Sequence, residues 1–307
     1  MTKQQGSEKR NTILVTGATG TVGSEIVKQF VSLSSSSDHN NVIRAAVHSK
    51  DKVDKFKQYD KAVETIAMDY NNEETFADAL DKVDKIFVLT LPFPNMTDIY
   101  SNLVKEIIKH QSINHIVKLS SMTAEIGLET TIGRLHRQGE KIIEESGIPY
   151  TFLRPSFFMQ NFIKNLGHSI KTQKAYYLPA GDGKLSFVDV RDIAAVSVQI
   201  LTSNNQRHIG KAYTITGQEA LSYGQAAKIL SKETNKTISY IDVTEEEARK
   251  RMEEKGMNDW LIDVMMESYR FIRSGHGSHM TNVVENITGR KPITFSQFVK
   301  DYAESFR

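Results

Sequence analysis

The chain of 307 residues contains no cysteine. Disulfides, thiolate nucleophiles and cysteine-ligated zinc or iron–sulfur centres are thereby excluded. Nor is there an excess of charge of either sign, since 39 Lys and Arg face 37 Asp and Glu, a net +2. That balance gives no support to a nucleic acid or a membrane surface as the main partner. No apolar run approaches the ~20 residues a membrane-spanning helix needs. Met1–Asn11 is polar and mixed in charge, a loose tail without the apolar core of a secretion signal. A cytoplasmic protein is the expectation. Fixed-period repeats and clean linkers are absent as well. What is present, 39% hydrophobic and 25% charged residues, is an ordinary globular composition. The length suffices for one large domain or a nucleotide domain with a smaller appendage.

The stretch Thr12-Ile-Leu-Val-Thr-Gly-Ala-Thr-Gly-Thr-Val-Gly23 organises the rest. Ile13-Leu14-Val15 is too short for a helix and suits a buried strand. Gly17, Gly20 and Gly23 follow at three-residue spacing, and Val22, Ile26 and Phe30 then mark one face of a helix. Strand, glycine turn and helix together make a phosphate cradle. Backbone comes close to the anion where no Cβ intervenes, and the helix start donates its N–H groups. Gly17, Ala18, Thr19, Gly20, Thr21, Val22 and Gly23 are therefore the expected dinucleotide contacts. The spacing is G-x-x-G-x-x-G, a variant of the commoner G-x-G-x-x-G.

Downstream, a polar loop spans Ser34 to Asn41, and strands are expected at 42–47, 63–68, 86–91, 113–119 and 150–153. Helices are expected between them: from Asp51 to Phe56, after an Asn72 cap, around Ile99, Leu103 and Ile107, and over 133–146. Such alternation implies βαβ units, a parallel sheet and right-handed crossovers. The fold class expected is α/β, a Rossmann-type doubly wound parallel sheet with a smaller, mainly helical C-terminal substrate lobe. Residues 12–156, continued by 185–216, form the dinucleotide domain in this reading, and 157–184 with 217–307 the substrate-side lobe. Later helices are expected at 189–201 and 221–234, later strands at 212–216 and 238–243.

An NAD site places an acid at the end of the second strand to hold the ribose diol. Here that end reads Ala46-Val47-His48-Ser49-Lys50. His48, Ser49 and Lys50 suit a 2′-phosphate instead, so NADP (NADPH) is the expected cofactor. A merely solvated loop is the plainer alternative.

With these residues read, the chain resembles the NmrA-like group of atypical short-chain dehydrogenase/reductases. The matching stretches are 16–23, Met68-Asp-Tyr70, Ser120-Ser121, His136 through Asn161, 181–194 and Ile287-Thr-Gly-Arg290. The resemblance implies a Rossmann domain, NAD(P)(H) binding, and either reductase activity towards quinones or dyes or a redox-sensing regulatory role with a protein partner. It adds Asp69, Pro155 and Phe157 to the cofactor contacts; Ser120, which with Ser121 ends a strand at the sheet's carboxyl edge, is expected among them too, the plainer alternative being that these serines only satisfy loop backbone. One feature departs from the short-chain dehydrogenase pattern. The Tyr-x-x-x-Lys pair falls at Ile132 and His136, so the usual phenolic acid is missing.

His136 is accordingly the leading titratable candidate, either bonding the nicotinamide ribose and protonating the reduced acceptor or merely packing. Ser121 is its expected catalytic partner. Thr90 and Leu91 are expected along the cofactor, and Met122, Phe158 and Asn161 against the substrate. Phe157, Phe158, Met159 and Phe162 form either an apolar wall for an aromatic acceptor or plain core. No metal is expected: His276 and His279 sit in a glycine-containing loop without an HExxH elsewhere. The expectation is an NAD(P)H-dependent reductase acting on a small quinone-like or aromatic acceptor, as monomer or homodimer, with a catalytically silent NAD(P) sensor as the alternative.

Overall fold

The computed structural model describes residues 11–34, 41–49, 56, 58–59, 62–127, 129–203 and 206–307. Lys50, the expected helix from Asp51, and most of the Ser34–Asn41 loop lie outside the described residues. In chain order the first elements are β1 (Thr12–Val15), α1 (Thr21–Ser34), β2 (Val42–Val47), β3 (Val63–Ala67), α2 (Glu74–Leu80), β4 (Lys85–Val88), α3 (Met96–Lys109) and β5 (His115–Leu119). There follow α4 (Thr123–Ile126), α5 (Thr131–Glu145), β6 (Tyr150–Pro155), α6 (Asn161–Lys164), α7 (Gly167–Gln173), β7 (Ala175–Leu178), β8 (Lys184–Leu185), α8 (Val190–Thr202) and β9 (Lys211–Ile215). The chain closes with β10 (Leu221–Ser222), α9 (Tyr223–Thr234), β11 (Ser239–Asp242), α10 (Glu245–Glu253), α11 (Asp259–Arg273), α12 (Val283–Thr288) and α13 (Phe295–Asp301).

Seven strands form one sheet in the order β3-β2-β1-β4-β5-β6-β9. The pairs β3–β2, β2–β1, β1–β4 and β4–β5 are all parallel. The order reverses between β1 and β4, so the Rossmann-type α/β expectation holds. The carboxyl ends of those two strands flank the crevice where ligands bind in open α/β sheets. These strands carry the near-continuous apolar runs of a sheet covered on both faces: Ile13, Leu14, Val15, Ile86, Phe87, Ile116 and Val117 are all inaccessible.

The chain divides into two compact units. The first comprises 1–119, 138–152 and 194–212; the second comprises 120–137, 153–193 and 213–307. The second has its own core, built on Phe162, Tyr176, Phe187, Tyr223, Phe295 and Phe298. Phe162 meets Phe295 and Phe187 edge-on at 4.8 and 5.3 Å between ring centroids. Two small sheets complete it: β10 antiparallel to β8, and β11 parallel to β7.

Several expected bounds shift. β4 ends at Val88 rather than Leu91. Side chains capture the backbone there: the Leu89 amide donates to Thr16 Oγ1 (2.8 Å), and Tyr70 Oη donates to the Leu89 carbonyl (3.1 Å). Asn72 does accept from the Glu74 amide (3.2 Å), but α2 starts only at Glu74, behind a turn tied by Asp69 and Thr75. At α10, where acids Glu245–Glu247 come first and bases Arg249–Arg251 last, a full capping box starts the helix, Thr244 and Glu247 each bonding the other's backbone amide.

At the amino ends of β4, β5 and β6 the first unit buries a neutral histidine cluster. Thr151 Oγ1 gives its proton to the His208 carbonyl (2.7 Å), so it accepts from His115 Nε2 at 2.9 Å. Burial lowers the His115 pKa to about 4, with the neighbouring Lys85 charge acting in the same direction. The Lys85 ammonium is held by the Leu201 and Ser203 carbonyls (2.9 and 2.8 Å). The unfolded imidazole takes up a proton below its ordinary 6.5, whereas the folded one stays neutral until about 4. Stability is therefore complete above pH 6.5 and falls through that window, by roughly 3 kcal/mol from this group at pH 4. Urea unfolding between pH 4 and 7 checks this, and His115→Gln, which keeps a donor for Thr151, should flatten the decline.

Candidate active site

The cradle is built from backbone. Gly17 lies at φ +60°, left-handed space in which a side chain is strained. A Cβ there would also approach Leu89 Cδ2 to 3.0 Å. The turn closes through the Gly20 amide donating to the Gly17 carbonyl (2.8 Å), and it is tied to β2 by the Ala18 amide on the Ala46 carbonyl (3.2 Å). Those two amides are engaged. By helix geometry the donors left for an anion are first-turn amides such as Val22 and Gly23, which have no carbonyl four residues back within α1. Gly23 lets α1 sit on the turn itself, because a Cβ would come within 2.3 Å of the Gly17 carbonyl oxygen.

Thr16 ties this turn to the far side of the crevice. Its amide and its hydroxyl both donate to the Phe87 carbonyl at 3.0 Å, and the hydroxyl oxygen accepts from Leu89. Beyond β2, His48 is exposed and Ser49 partly so. His48 Nε2 stands 3.5 Å from Asp69 Oδ1. The same carboxylate oxygen accepts from the Asn71 amide (2.9 Å). Arg44, the guanidinium on β2, is committed to Glu64 and to the Ala79 and Asp81 carbonyls.

Thr90 is buried and donates to the Tyr100 hydroxyl at 3.0 Å, while Leu91 is exposed. Behind Thr90 lies a polar cluster that periodicity could not reveal. Lys118 on β5 and Glu140 on α5 are fully buried, and the Lys118 ammonium is 4.9 Å from the Tyr100 ring centroid. Burial drives the Tyr100 phenol far above its ordinary pKa, and Glu140 adds to the rise, so Thr90 faces a neutral hydroxyl.

In the second unit, the buried Ser120 donates its amide to the Leu153 carbonyl (2.6 Å). Ser121 Oγ lies 2.8 Å from Thr123 Oγ1 and accepts from the Thr123 amide (3.2 Å), which starts α4. Met122 is buried, its amide on the Pro155 carbonyl (3.0 Å). His136 is buried on α5. The start of that helix is fixed from a distance: Glu267 on α11 accepts from the Thr131 amide (2.6 Å) and hydroxyl (3.1 Å). A carboxylate in that place also complements the helix dipole. Phe157, Phe158 and Asn161 are partly exposed, whereas Met159 and Phe162 belong to the core. A cavity of about 440 Å³ lined by Glu129, Thr130, Glu267, Arg270 and Phe271 opens at the same helix start. It includes none of the site residues read from the sequence. Among the described residues no cluster of three potential metal ligands occurs, and no helix is long and apolar enough to cross a membrane.

A parallel sheet with a glycine cradle at its reversal point defines a Rossmann-type protein of the dinucleotide-binding class. The NmrA-like family profile matches residues 9–291, and the chain belongs to the NmrA-like family. An NAD(P)H azoreductase of Xenophilus azovorans is 33% identical over 294 residues, covering 96% of this chain and 99% of the relative. Among solved structures, the NADPH complex of the quinone oxidoreductase QOR2 from Escherichia coli superposes with TM-score 0.82 at 22% identity, covering 94% of this chain and 99% of that one. The triphenylmethane reductase of Citrobacter sp. gives 0.81 at 23% identity, covering 95% and 99%.

The three glycines are distinguishable by substitution. Gly20 is exposed, and an added Cβ there meets only the Gly17 carbonyl oxygen, at 3.1 Å. Gly20→Val should stay folded, with Tm lowered by no more than about 5 °C, yet lose NADPH binding by calorimetry. Gly23→Val should fail to fold. Undiminished NADPH affinity in folded Gly20→Val would remove the cradle assignment.

Proposed function

We propose that the chain is an NADPH-preferring reductase that delivers hydride to a small quinone-like or aromatic, unsaturated acceptor. It would act in the cytoplasm as a monomer or homodimer. The observation that carries this reading is the cradle: a left-handed Gly17, an exposed Gly20 without a side chain, and a helix start aimed past them. That geometry fits a pyrophosphate. Membership in the NmrA-like family and 33% identity to an NAD(P)H azoreductase support the same cofactor class.

The nicotinamide supplies the hydride when bound, and the remaining work falls to side chains of this chain. The first turn of α1 holds the pyrophosphate. His48 and Ser49 receive the 2′-phosphate, with Asp69 fixing the His48 ring. Thr90, oriented by Tyr100, Ser120 and the Pro155–Phe157 stretch line the cofactor. Phe158 and Asn161, with Met122, serve the acceptor. His136 gives the proton, assisted by Ser121, because Ile132 occupies the position of the usual phenol. Hydride and proton together convert a quinone to a hydroquinone. The oxyanion formed is delocalised, so it needs less protonation than a simple alkoxide, and a weak acid at His136 suffices.

NADPH should be oxidised by quinones and azo or triarylmethane dyes and hardly at all by simple ketones. His136→Ala should lower kcat by no more than about 10²-fold. Tight NADPH binding with no acceptor reduced across that panel would favour a catalytically silent sensor instead. His48→Asp should shift preference from NADPH towards NADH, since it offers a diol acceptor and repels the 2′-phosphate. Equal NADPH and NADH affinity in the unaltered protein would count against the role of His48.

A further inference from the structure

We infer that Phe93, supported by Leu91, is the stacking face that selects uncharged, bicyclic conjugated acceptors; this deepens the reductase reading and rests on it. Both side chains belong to the first unit and follow β4, at the sheet edge that carries the cradle. Leu91 is 60% and Phe93 48% exposed, although large apolar residues of this unit are otherwise mostly buried. Two such side chains within three residues are unusual on a surface that has no partner to cover, and clustered apolar exposure marks binding sites.

The segment is held at both ends. Leu89 is fixed by Thr16 and Tyr70 and is the residue that Gly17 would strike if it carried a Cβ. Four residues on, the Phe93 carbonyl accepts from the Met96 amide (3.0 Å), which opens α3. Pro92 and Pro94 fix their own φ and restrict the residues before them, Leu91 and Phe93. The aromatic ring is thus presented with little conformational freedom left to lose on binding. At ~3.6 Å per residue, the Phe93 Cα lies within about 14 Å of the Leu89 Cα, and so stays close to the cradle.

Charge narrows the occupant. From Ile86 to Thr97 there is no ionisable side chain. A surface of Leu, Pro and Phe offers nothing to a carboxylate or phosphate and much to a flat π-system, which stacks on Phe and packs against Leu. An acceptor with two fused rings covers more of that face than a single ring does.

The test uses the full chain with Phe93→Ala, Phe93→Leu and Phe93→Tyr. Initial rates with 1,4-naphthoquinone and 1,4-benzoquinone are compared. Naphthoquinone binding to the NADP⁺-loaded protein, where no turnover occurs, is measured by calorimetry, as is NADPH affinity. Phe93→Ala should raise both the KM and the Kd for naphthoquinone about tenfold, the equivalent of one lost aromatic contact. It should change the benzoquinone KM by less than about threefold and NADPH affinity by less than about twofold. Phe93→Tyr should restore the naphthoquinone values and Phe93→Leu should not. Equal losses for both quinones, a weakened NADPH affinity, or no change in naphthoquinone affinity would each overturn the assignment. If the unaltered protein binds naphthoquinone in a Phe93-dependent way but reduces nothing, the reductase reading fails while the stacking face stands. If it reduces naphthoquinone independently of Phe93, the reverse holds.

Discussion

The approach of Gly23 to the Gly17 carbonyl is the constraint on which the first unit depends. A Cβ would stand 2.3 Å from that oxygen, so α1 can begin where it does only with glycine at position 23. Because α1 begins there, its first turn follows directly on the glycine turn after β1. Thr16 then couples β1 to β4: its hydroxyl donates to the Phe87 carbonyl and accepts the Leu89 amide. One threonine and two glycines thereby set where an anion can sit, where β4 must stop, and where the apolar segment after it begins.

The sheet and its order were legible because apolar strands and amphipathic helices alternate with few interruptions. The cradle was legible for the same reason, its glycines being at fixed spacing between a strand and a helix. What escaped is held by contacts between residues far apart in the chain. The end of β4 is a case: Leu91 and Thr90 read as strand, and only Thr16 and Tyr70, 73 and 19 residues away from Leu89, detach the backbone. The two-residue strands β8 and β10 carry no periodicity of their own. Glu267 looks like one more acid on an amphipathic helix, yet it caps α5 from 136 residues away.

Charge misleads in the opposite direction. Lys118 lies in a run that otherwise reads as a buried strand, and Glu140 in a run of helix polar enough to be solvated. Both are fully buried. A buried ammonium costs several kcal/mol unless it is paired and hydrogen-bonded. Here Lys118 and Glu140 back the Tyr100–Thr90 hydrogen bond at the edge of the cradle. His136 shares α5 with Glu140, one turn before it, and it is the same helix whose start Glu267 fixes. The Tyr-x-x-x-Lys pattern singles out His136 in the sequence, but that Glu267 fixes the start of its helix is visible only in the structure.

The division into two units carries a further consequence for how the molecule comes into being. The chain passes from one unit to the other at residues 119/120, 137/138, 152/153, 193/194 and 212/213. Neither unit is a continuous stretch of chain, and α5, β6, α8 and β9 each run from one into the other. No single cleavage or truncation can release an intact half, and a ribosome cannot finish the first unit until two segments of the second, 120–137 and 153–193, have been made. Such interleaving raises the sequence separation of native contacts, which slows folding. It also removes the domain-by-domain route open to chains whose domains follow one another. The nascent chain thus carries parts of both units before either is complete.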